Sequence, residues 1–111
     1  MAFDEHLANR VRALLADERG LTETRMFGGL AFLVDGNMAV SASGQGGLLV
    51  RVDPDAGLGL VTRAHVRAFE MRGREMNGWL RVDDEGLRTQ RQLRGWVARG
   101  VAYARSLPPK R

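Results

Sequence analysis

The sequence predicts an α+β fold of two layers, in which helices from both ends of the chain pack on one antiparallel sheet. Apolar residues recur at helical spacing near both termini, whereas the segments between them alternate or form short apolar runs. Short glycine-containing turns join those segments, and parallel strands would need a much longer crossover. Helices and strands also do not alternate as in β–α–β units, which favours segregated layers.

The first predicted element is a helix over Asp4–Glu18. Asp4 is a suitable N-cap because its carboxylate can accept hydrogen bonds from the first backbone N–H groups. Gly20 can adopt the left-handed conformation that ends many helices. The apolar residues of this segment fall on one helix face: Leu7, Val11, Leu14 and Leu15.

A meander of three or four strands is predicted next. Asp35–Asn37 is a tight hairpin turn, since Asp-Gly tolerates the positive φ that such turns require. Gly44–Gly47 is a second turn, and Met38, Val40 and Ala42 should share one face of their strand. The predicted strands are Thr22–Phe27, Leu30–Val34, Met38–Ser43 and Leu48–Val52.

A weak helix and a second hairpin should follow the meander. Asp53 is an N-cap, and Pro54 occupies the first helical position, where a missing N–H does no harm. Gly57 and Gly59 each disfavour this helix by about 1 kcal/mol relative to alanine. The segments Phe69–Met71 and Trp79–Val82 are predicted to pair around the turn Arg72-Gly73.

The last predicted element is a long helix that covers the sheet. Thr89 and Gln92 have the spacing of a capping box, and the pair Pro108-Pro109 ends the helix. We expect Trp96 to be buried with its neighbours on one face, which comprises Leu93, Trp96, Val97, Gly100, Ala104 and Leu107.

Composition predicts a single cytoplasmic domain over residues 1–111. With 44% hydrophobic residues and no cysteine, the chain should form a core without disulfides or thiolate zinc sites. Met1–Arg12 has early acidic residues and no apolar run, unlike a signal peptide. The longest apolar run, Leu30–Val34, is far shorter than the ~20 residues of a membrane span, so no membrane partner is expected.

Charge leaves two alternatives open. The net charge is +4, and Lys110 is the single lysine among 17 cationic residues. Acidic residues are interleaved throughout, so nucleic-acid binding is a less favoured reading than a solvated surface. If nucleic acid does bind, the site should be the arginines on the outer side of the last helix: Arg88, Arg91, Arg94, Arg99 and Arg105.

No residue pattern predicts catalysis, a metal site or a cofactor. His6 and His65 are the only histidines, and neither has a second ligand at helical spacing. The serines lack a nucleophile-elbow context. Gly44–Gly47 precedes a strand rather than a helix, so it does not form a phosphate loop. We therefore assign no catalytic residue and no metal ligand, and the chain is predicted not to be an enzyme.

Two segments, Arg25–Asn37 and Gly73–Trp79, combine glycines, large apolar residues and arginine. They are either core segments or parts of one docking face, with methionine and tryptophan giving contact area and arginine giving orientation. We predict that the Gly28-Gly29 corner and the Gly73–Trp79 hairpin lie side by side at one end of the sheet. The proposed face comprises Arg25, Met26, Phe27, Gly28, Gly29, Arg51, Arg74, Met76, Gly78 and Trp79.

These motifs, in this order, resemble the TfoX/Sxy N-terminal domain family. The similarity rests on Arg25-x-Phe27 with its two glycines, on Arg51, on Gly73–Trp79, and on Trp96, Tyr103 and Leu107–Lys110. The resemblance implies a fold related to the secretion-chaperone-like fold, action through protein contacts, frequent dimerisation and a link to competence regulation. Full-length regulators of that family have a second domain, whereas the resemblance here is to the N-terminal domain, so we expect a stand-alone domain of the N-terminal type.

The predicted function is therefore a non-enzymatic regulatory or protein-interaction module. Its protein partner is unknown, and a homodimer is one option. The alternative is a basic nucleic-acid-binding protein that uses the arginines of the last helix. An enzymatic role would require Arg25, Arg51 and Arg74 to converge, because three guanidiniums could then hold a carboxylate or phosphate.

Overall fold

The computed structural model describes residues 3–26 and 28–110. It confirms the α+β class, with three helices and a six-stranded antiparallel sheet. The elements in chain order are α1 (Glu5–Leu14), β1 (Leu21–Met26), β2 (Gly29–Val34), β3 (Asn37–Ala42), β4 (Leu48–Arg51), α2 (Pro54–Leu60), β5 (Val66–Met71), β6 (Arg74–Val82), a 3-10 turn (Asp84–Leu87) and α3 (Gln90–Ser106).

The strand order of the sheet is β1-β2-β3-β4-β6-β5. The first four strands form the predicted meander. The β5–β6 hairpin then joins its far side, with β6 inside and β5 at the edge. As a result, β1 and β5 are the two edge strands, and four strands separate them.

The main core lies between the helices and one face of the sheet. Phe32, Val40 and Val50 lie on that face with no exposed surface, and Leu7 and Val11 of α1 pack in the same cluster. The prediction for α3 is confirmed, because Trp96 is only 6% exposed and lies in this core with Leu93 and Val97.

The predicted helix starts are confirmed by their caps. The Asp4 carboxylate accepts hydrogen bonds from the backbone N–H groups of His6 and Leu7. The Asp53 side chain caps α2, and Thr89 forms the capping box of α3. The predicted end of the first helix at Glu18 is wrong. The helix ends at Leu14, because the following residues form turns that lead into β1.

One predicted face of β3 is also wrong. Val40 packs in the main core, whereas Met38 packs in a cluster on the opposite face. The register between β2 and β3 shifts after Phe32. Phe32 pairs with Val40, whereas Leu33, the next residue of β2, pairs with Met38. Ala39 is thus an extra residue, and a bulge of this kind interrupts the alternation of faces.

The second face of the sheet bears a smaller apolar cluster, here called the open-face cluster. All its members are strand residues, and the core residues contributed by α1 and α3 belong to clusters on the other face. Three members are buried and four are half-buried. The cluster comprises Met26, Ala31, Leu33, Met38, Leu49, Phe69 and Trp79.

Candidate functional site

The Gly28-Gly29 corner and the Gly73–Trp79 hairpin do not lie side by side, so this prediction is wrong. Successive strand pairs align Arg25 of β1 with Leu48 of β4, and Leu48 with Val82 at the end of β6. The β1–β2 turn is therefore at the same end of the sheet as the end of β6. The β5–β6 turn at Arg72-Gly73 is at the other end, beside the opposite edge.

The three arginines of the predicted face point to different surroundings. Arg25 is paired with Leu30, a residue of the main core, and its guanidinium lies 5.5 Å from the Phe3 ring centroid. Arg74 is exposed at the start of β6. Because Arg25 and Arg74 lie at opposite ends and edges of the sheet, the three guanidiniums do not converge on one anion. The geometric condition for the enzymatic alternative is therefore not met.

Arg51 of β4 has aromatic neighbours in both layers. Its guanidinium carbon lies 5.2 Å from the Trp79 ring centroid and 5.5 Å from that of Tyr103. Trp79 is its cross-strand partner in β6, and Tyr103 belongs to α3. Both distances are in the range of cation–π attraction, so Arg51 joins the sheet to the helix layer.

The glycines of the predicted face have backbone roles. Gly29 is buried, and a side chain there would clash with the Ala42 carbonyl group. Gly78 has a φ of 83° and its Cβ position lies 2.8 Å from the Val52 carbonyl oxygen. Gly28 is an exposed turn residue with a φ of 75°. Phe27 lies outside the described residues, and Met76 is half-buried.

Met26 and Trp79 both pack against the open-face cluster, on strands β1 and β6, but nothing brings them together at one end of the sheet. Sequence reasoning missed the members that connect them, among them Leu33 and Phe69. Leu33 lies within the apolar run Leu30–Val34 and Phe69 within the predicted second hairpin, and only the strand order shows which strand residues share a surface.

Arg81 adds positive charge beside the open-face cluster. Its guanidinium lies 5.8 Å from the Phe69 ring centroid and donates hydrogen bonds to the Gly46 carbonyl oxygen at 2.8 Å and to Ser43 Oγ at 3.1 Å. Partial burial lowers the pKa of Arg81 below its ordinary value, and the charge of Arg67 adds to this effect. Arg67 is its direct cross-strand neighbour and forms an ion pair with Asp83 at 2.9 Å.

The arginines predicted for nucleic-acid binding do not form one uniform surface. Arg105 binds Glu18 at 2.6 Å and Asp35 at 3.5 Å. Arg99 is half-buried, and its guanidinium carbon lies 4.9 Å from the Trp96 ring centroid. Exposed guanidiniums remain at Arg88, which precedes α3, and at Arg91 and Arg94.

A groove of about 610 Å³ lies between α2 and α3. The sequence did not indicate it, because its walls come from two helices whose relative position is a tertiary property. Arg63 follows α2 and lines the groove together with Arg99. Nothing in the residues around Arg63 marks it as a site residue.

The described part of the chain contains no group of three histidine, aspartate or glutamate residues that could hold a metal ion. The closest approach of His65 to a carboxylate is 3.9 Å, from Nδ1 to Glu85 Oε1. Likewise, none of the helices within residues 3–26 and 28–110 is both long and apolar enough to cross a bilayer.

Comparison with known protein families gives a match. The sequence model of the TfoX N-terminal domain matches residues 13–104, from within α1 to near the end of α3. No curated protein and no solved structure matches the chain. Since the matched segment covers most of the sequence and all six strands, this chain belongs to the TfoX N-terminal domain family.

Proposed function

We propose that this domain is a non-enzymatic regulatory module that binds another protein through the open face of its sheet. The observation that supports this most directly is the open-face cluster, an apolar surface built of strand residues with Arg51 and Arg81 beside it. Membership of the TfoX N-terminal domain family supports a regulatory role in general.

The chemistry of this face suits a protein partner. Trp79, Phe69 and Met26 are half-buried, so they offer apolar contact area with few conformations to lose. Tryptophan, methionine and arginine are the residue types enriched in protein interfaces. The partner should therefore present an apolar surface with acidic groups at its rim.

A second copy of this chain fits less well on the same face. Face-to-face association would bring Arg51 and Arg81 near the same guanidiniums of the other copy, and like charges disfavour such contacts. We therefore propose a different, acidic protein as the occupant, with self-association as the competing outcome in solution.

The test compares the variant Leu33→Glu with the control Ala98→Glu. Leu33 is a half-buried member of the open-face cluster, and Ala98 is an exposed residue of α3, which packs on the other face of the sheet. Crosslinking in the native host should recover the same partner with the wild type and the control, and lose it with Leu33→Glu. Equal recovery with both variants would contradict the proposal.

Two measurements make this comparison decisive. Thermal unfolding must show that Leu33→Glu is folded, and the milder Leu33→Ser replaces it if the glutamate variant unfolds. Light scattering then gives the mass of the purified domain. A dimer that Leu33→Glu dissociates would mean that a second copy occupies the face, and the proposed acidic partner would be wrong.

The link to competence is a finer proposal that rests on the family alone. If it holds, deletion of the gene should change the frequency of DNA uptake in the native host, and the Leu33→Glu allele should reproduce that change. Unchanged uptake in the deletion strain would remove competence from the proposed function while leaving protein binding intact.

A further inference from the structure

We propose that the groove between α2 and α3 binds a small amphiphilic anion, with an apolar body along the groove and a carboxylate or phosphate head at Arg63 and Arg99. This site lies against the helices and is separate from the open face of the sheet. It therefore does not depend on the function proposed above.

The walls of the groove are mainly apolar. They include Ala56 and Leu60 of α2, and Ala102 and Tyr103 of α3. The volume of about 610 Å³ is in the range of sites that bind small organic molecules. An apolar body lying there would remove its own surface and that of the walls from water.

Gly59 keeps one side of the groove open. It lies in α2 and lines the groove, and within the described part of the chain no atom beyond its own helix is within 4 Å of the position that a Cβ would take. Any side chain at residue 59 would therefore project into open space rather than into the core.

Positive charge is concentrated at one end of the groove. The guanidinium carbons of Arg63 and Arg99 lie 6.0 Å and 4.9 Å from the ring centroid of Trp96. No ion pair within 4.0 Å involves either residue in the segments 3–26 and 28–110. Two guanidiniums that lie over the Trp96 ring and form no such ion pair suit an anionic head, which each can bind through paired N–H groups.

Further positive charge lies close to Arg63 and Arg99. Arg63 and Arg99 also line a neighbouring concavity of about 560 Å³ over Trp96, to which Arg91 contributes a third guanidinium. The head group of a bound anion would thus lie between the groove and this concavity.

A carboxylate lies at the opposite end of the groove. Asp53 lines the groove and caps the start of α2, whereas Arg63 follows its end. With a rise of 1.5 Å per residue, the seven residues of α2 separate these ends by about 10 Å. An extended polyanion would meet Asp53 after this short distance, so a small molecule with one anionic end fits better than a nucleic acid.

The test uses octanoate as the probe, with octyl phosphate and octanol for comparison. Nuclear magnetic resonance follows the indole N–H signal of Trp96, with the backbone amide signals of the edge strand β1 as an internal reference. We expect a saturable shift of the Trp96 signal with octanoate or octyl phosphate, and the stronger of the two identifies the head group. Octanol should bind at least about tenfold more weakly.

Matched variants locate the site. Arg63→Gln and Arg99→Gln should each weaken octanoate binding about tenfold or more, as expected for the loss of a charge-assisted hydrogen bond. Arg94→Gln removes the same charge from an exposed position of α3 outside the groove and should leave binding unchanged. Gly59→Phe should abolish binding by filling the groove, while Gly59→Ala checks that substitution there is tolerated.

Several results would overturn the proposal. These are the absence of a saturable shift with both anionic probes, octanol binding as tightly as octanoate, or equal weakening by Arg94→Gln and Arg99→Gln. If Arg99→Gln fails to fold because Trp96 loses its neighbour, Arg63→Gln still decides the question, since Arg63 is exposed and lies outside the helices. Equal partner recovery with Leu33→Glu and its control, together with intact octanoate binding, would contradict only the function proposed earlier.

Discussion

At the scale of single residues, replacing either of two helical glycines by alanine should change the free energy of unfolding, in opposite directions at the two sites. A methyl group at Gly100 would clash with the Ala39 carbonyl oxygen, because α3 packs closely on β3 at this point. At Gly59 a methyl group would meet open space. The two sites thus separate steric packing from intrinsic helix propensity.

We expect Gly100→Ala to lower the free energy of unfolding by about 1–3 kcal/mol, the usual range for overpacking a tight site. Gly59→Ala should raise it by up to about 1 kcal/mol, because alanine favours the helix. Urea unfolding monitored by circular dichroism measures both. A stabilised Gly100→Ala would show that α3 can move away from β3 without loss.

The ion pair of Arg12 with Glu23 should make stability depend on pH in acid. Arg12 Nε and Glu23 Oε2 are 2.7 Å apart, and this hydrogen bond lowers the pKa of Glu23 below its ordinary value near 4.5. A carboxylate with a lowered folded-state pKa stabilises the fold above the unfolded pKa, and this contribution is lost as pH falls through the folded pKa.

At neutral pH we expect Glu23→Gln to lower the free energy of unfolding by about 0.2–1 kcal/mol, since both side chains are partly exposed. The difference from wild type should shrink once the pH falls below about 4.5. Urea unfolding at several pH values tests this. In an Arg12→Gln background the pH-dependent difference should disappear, and its persistence would assign the effect to another partner of Glu23.

At the scale of elements, the capping box should fix the start of α3. The Thr89 side chain accepts a hydrogen bond from the backbone N–H of Gln92 at 3.0 Å, and Gln92 Oε1 accepts one from the Thr89 N–H at 2.9 Å. We expect Thr89→Ala to destabilise the domain by about 1 kcal/mol and Thr89→Ser to have little effect. Equal denaturation midpoints for both variants would contradict a stabilising cap.

Elements with local signals were predicted from the sequence. Asp35 and Gly36 have φ values of 51° and 83°, as the predicted hairpin turn requires, and the caps at Asp4, Asp53 and Thr89 depend on side chains only a few residues from the backbone groups that they bind. These local features can be predicted from the sequence because the interacting groups are neighbours in the chain, whatever the rest of the fold is.

The bulges were not predictable in the same way. Ala39 shifts the face of Met38, and in the β5–β6 hairpin the register shifts between the pairs Ala68–Leu80 and Glu70–Glu75. A register shift reflects the fit of one strand against another, and the alternation of apolar residues within a single strand does not encode it.

At the scale of the whole molecule, the predicted site failed because it depended on strand order. Gly28 and Gly73 belong to hairpins at opposite edges of the sheet, since the β5–β6 hairpin joins β4 through β6. Two residues of the predicted face, Met26 and Trp79, pack against one apolar cluster, and their role in binding stays a prediction. Leu33 and Phe69 join that cluster only when distant strands pair. In the same way, Arg63 lies beside Arg99 only when α2 and α3 pack together.

The stack around Arg51 connects the two candidate sites across these layers. Trp79 belongs to the open-face cluster, and Tyr103 lines the groove between α2 and α3. Arg51 lies within 5.5 Å of both ring centroids and is half-buried. If both contacts are attractive, the guanidinium holds the end of α3 against β4 and β6.

We therefore expect Arg51→Ala to lower the free energy of unfolding by about 1–2 kcal/mol, at about 0.5–1 kcal/mol for each cation–π contact. Double-mutant cycles of Arg51→Ala with Tyr103→Leu and with Trp79→Leu separate the two contacts. Each cycle should give a coupling energy of about 0.5 kcal/mol or more, because the partners are in direct contact. Additive effects in the Tyr103 cycle would mean that Arg51 is held only by its strand neighbour Trp79, and that the open face and the groove are not joined through this residue.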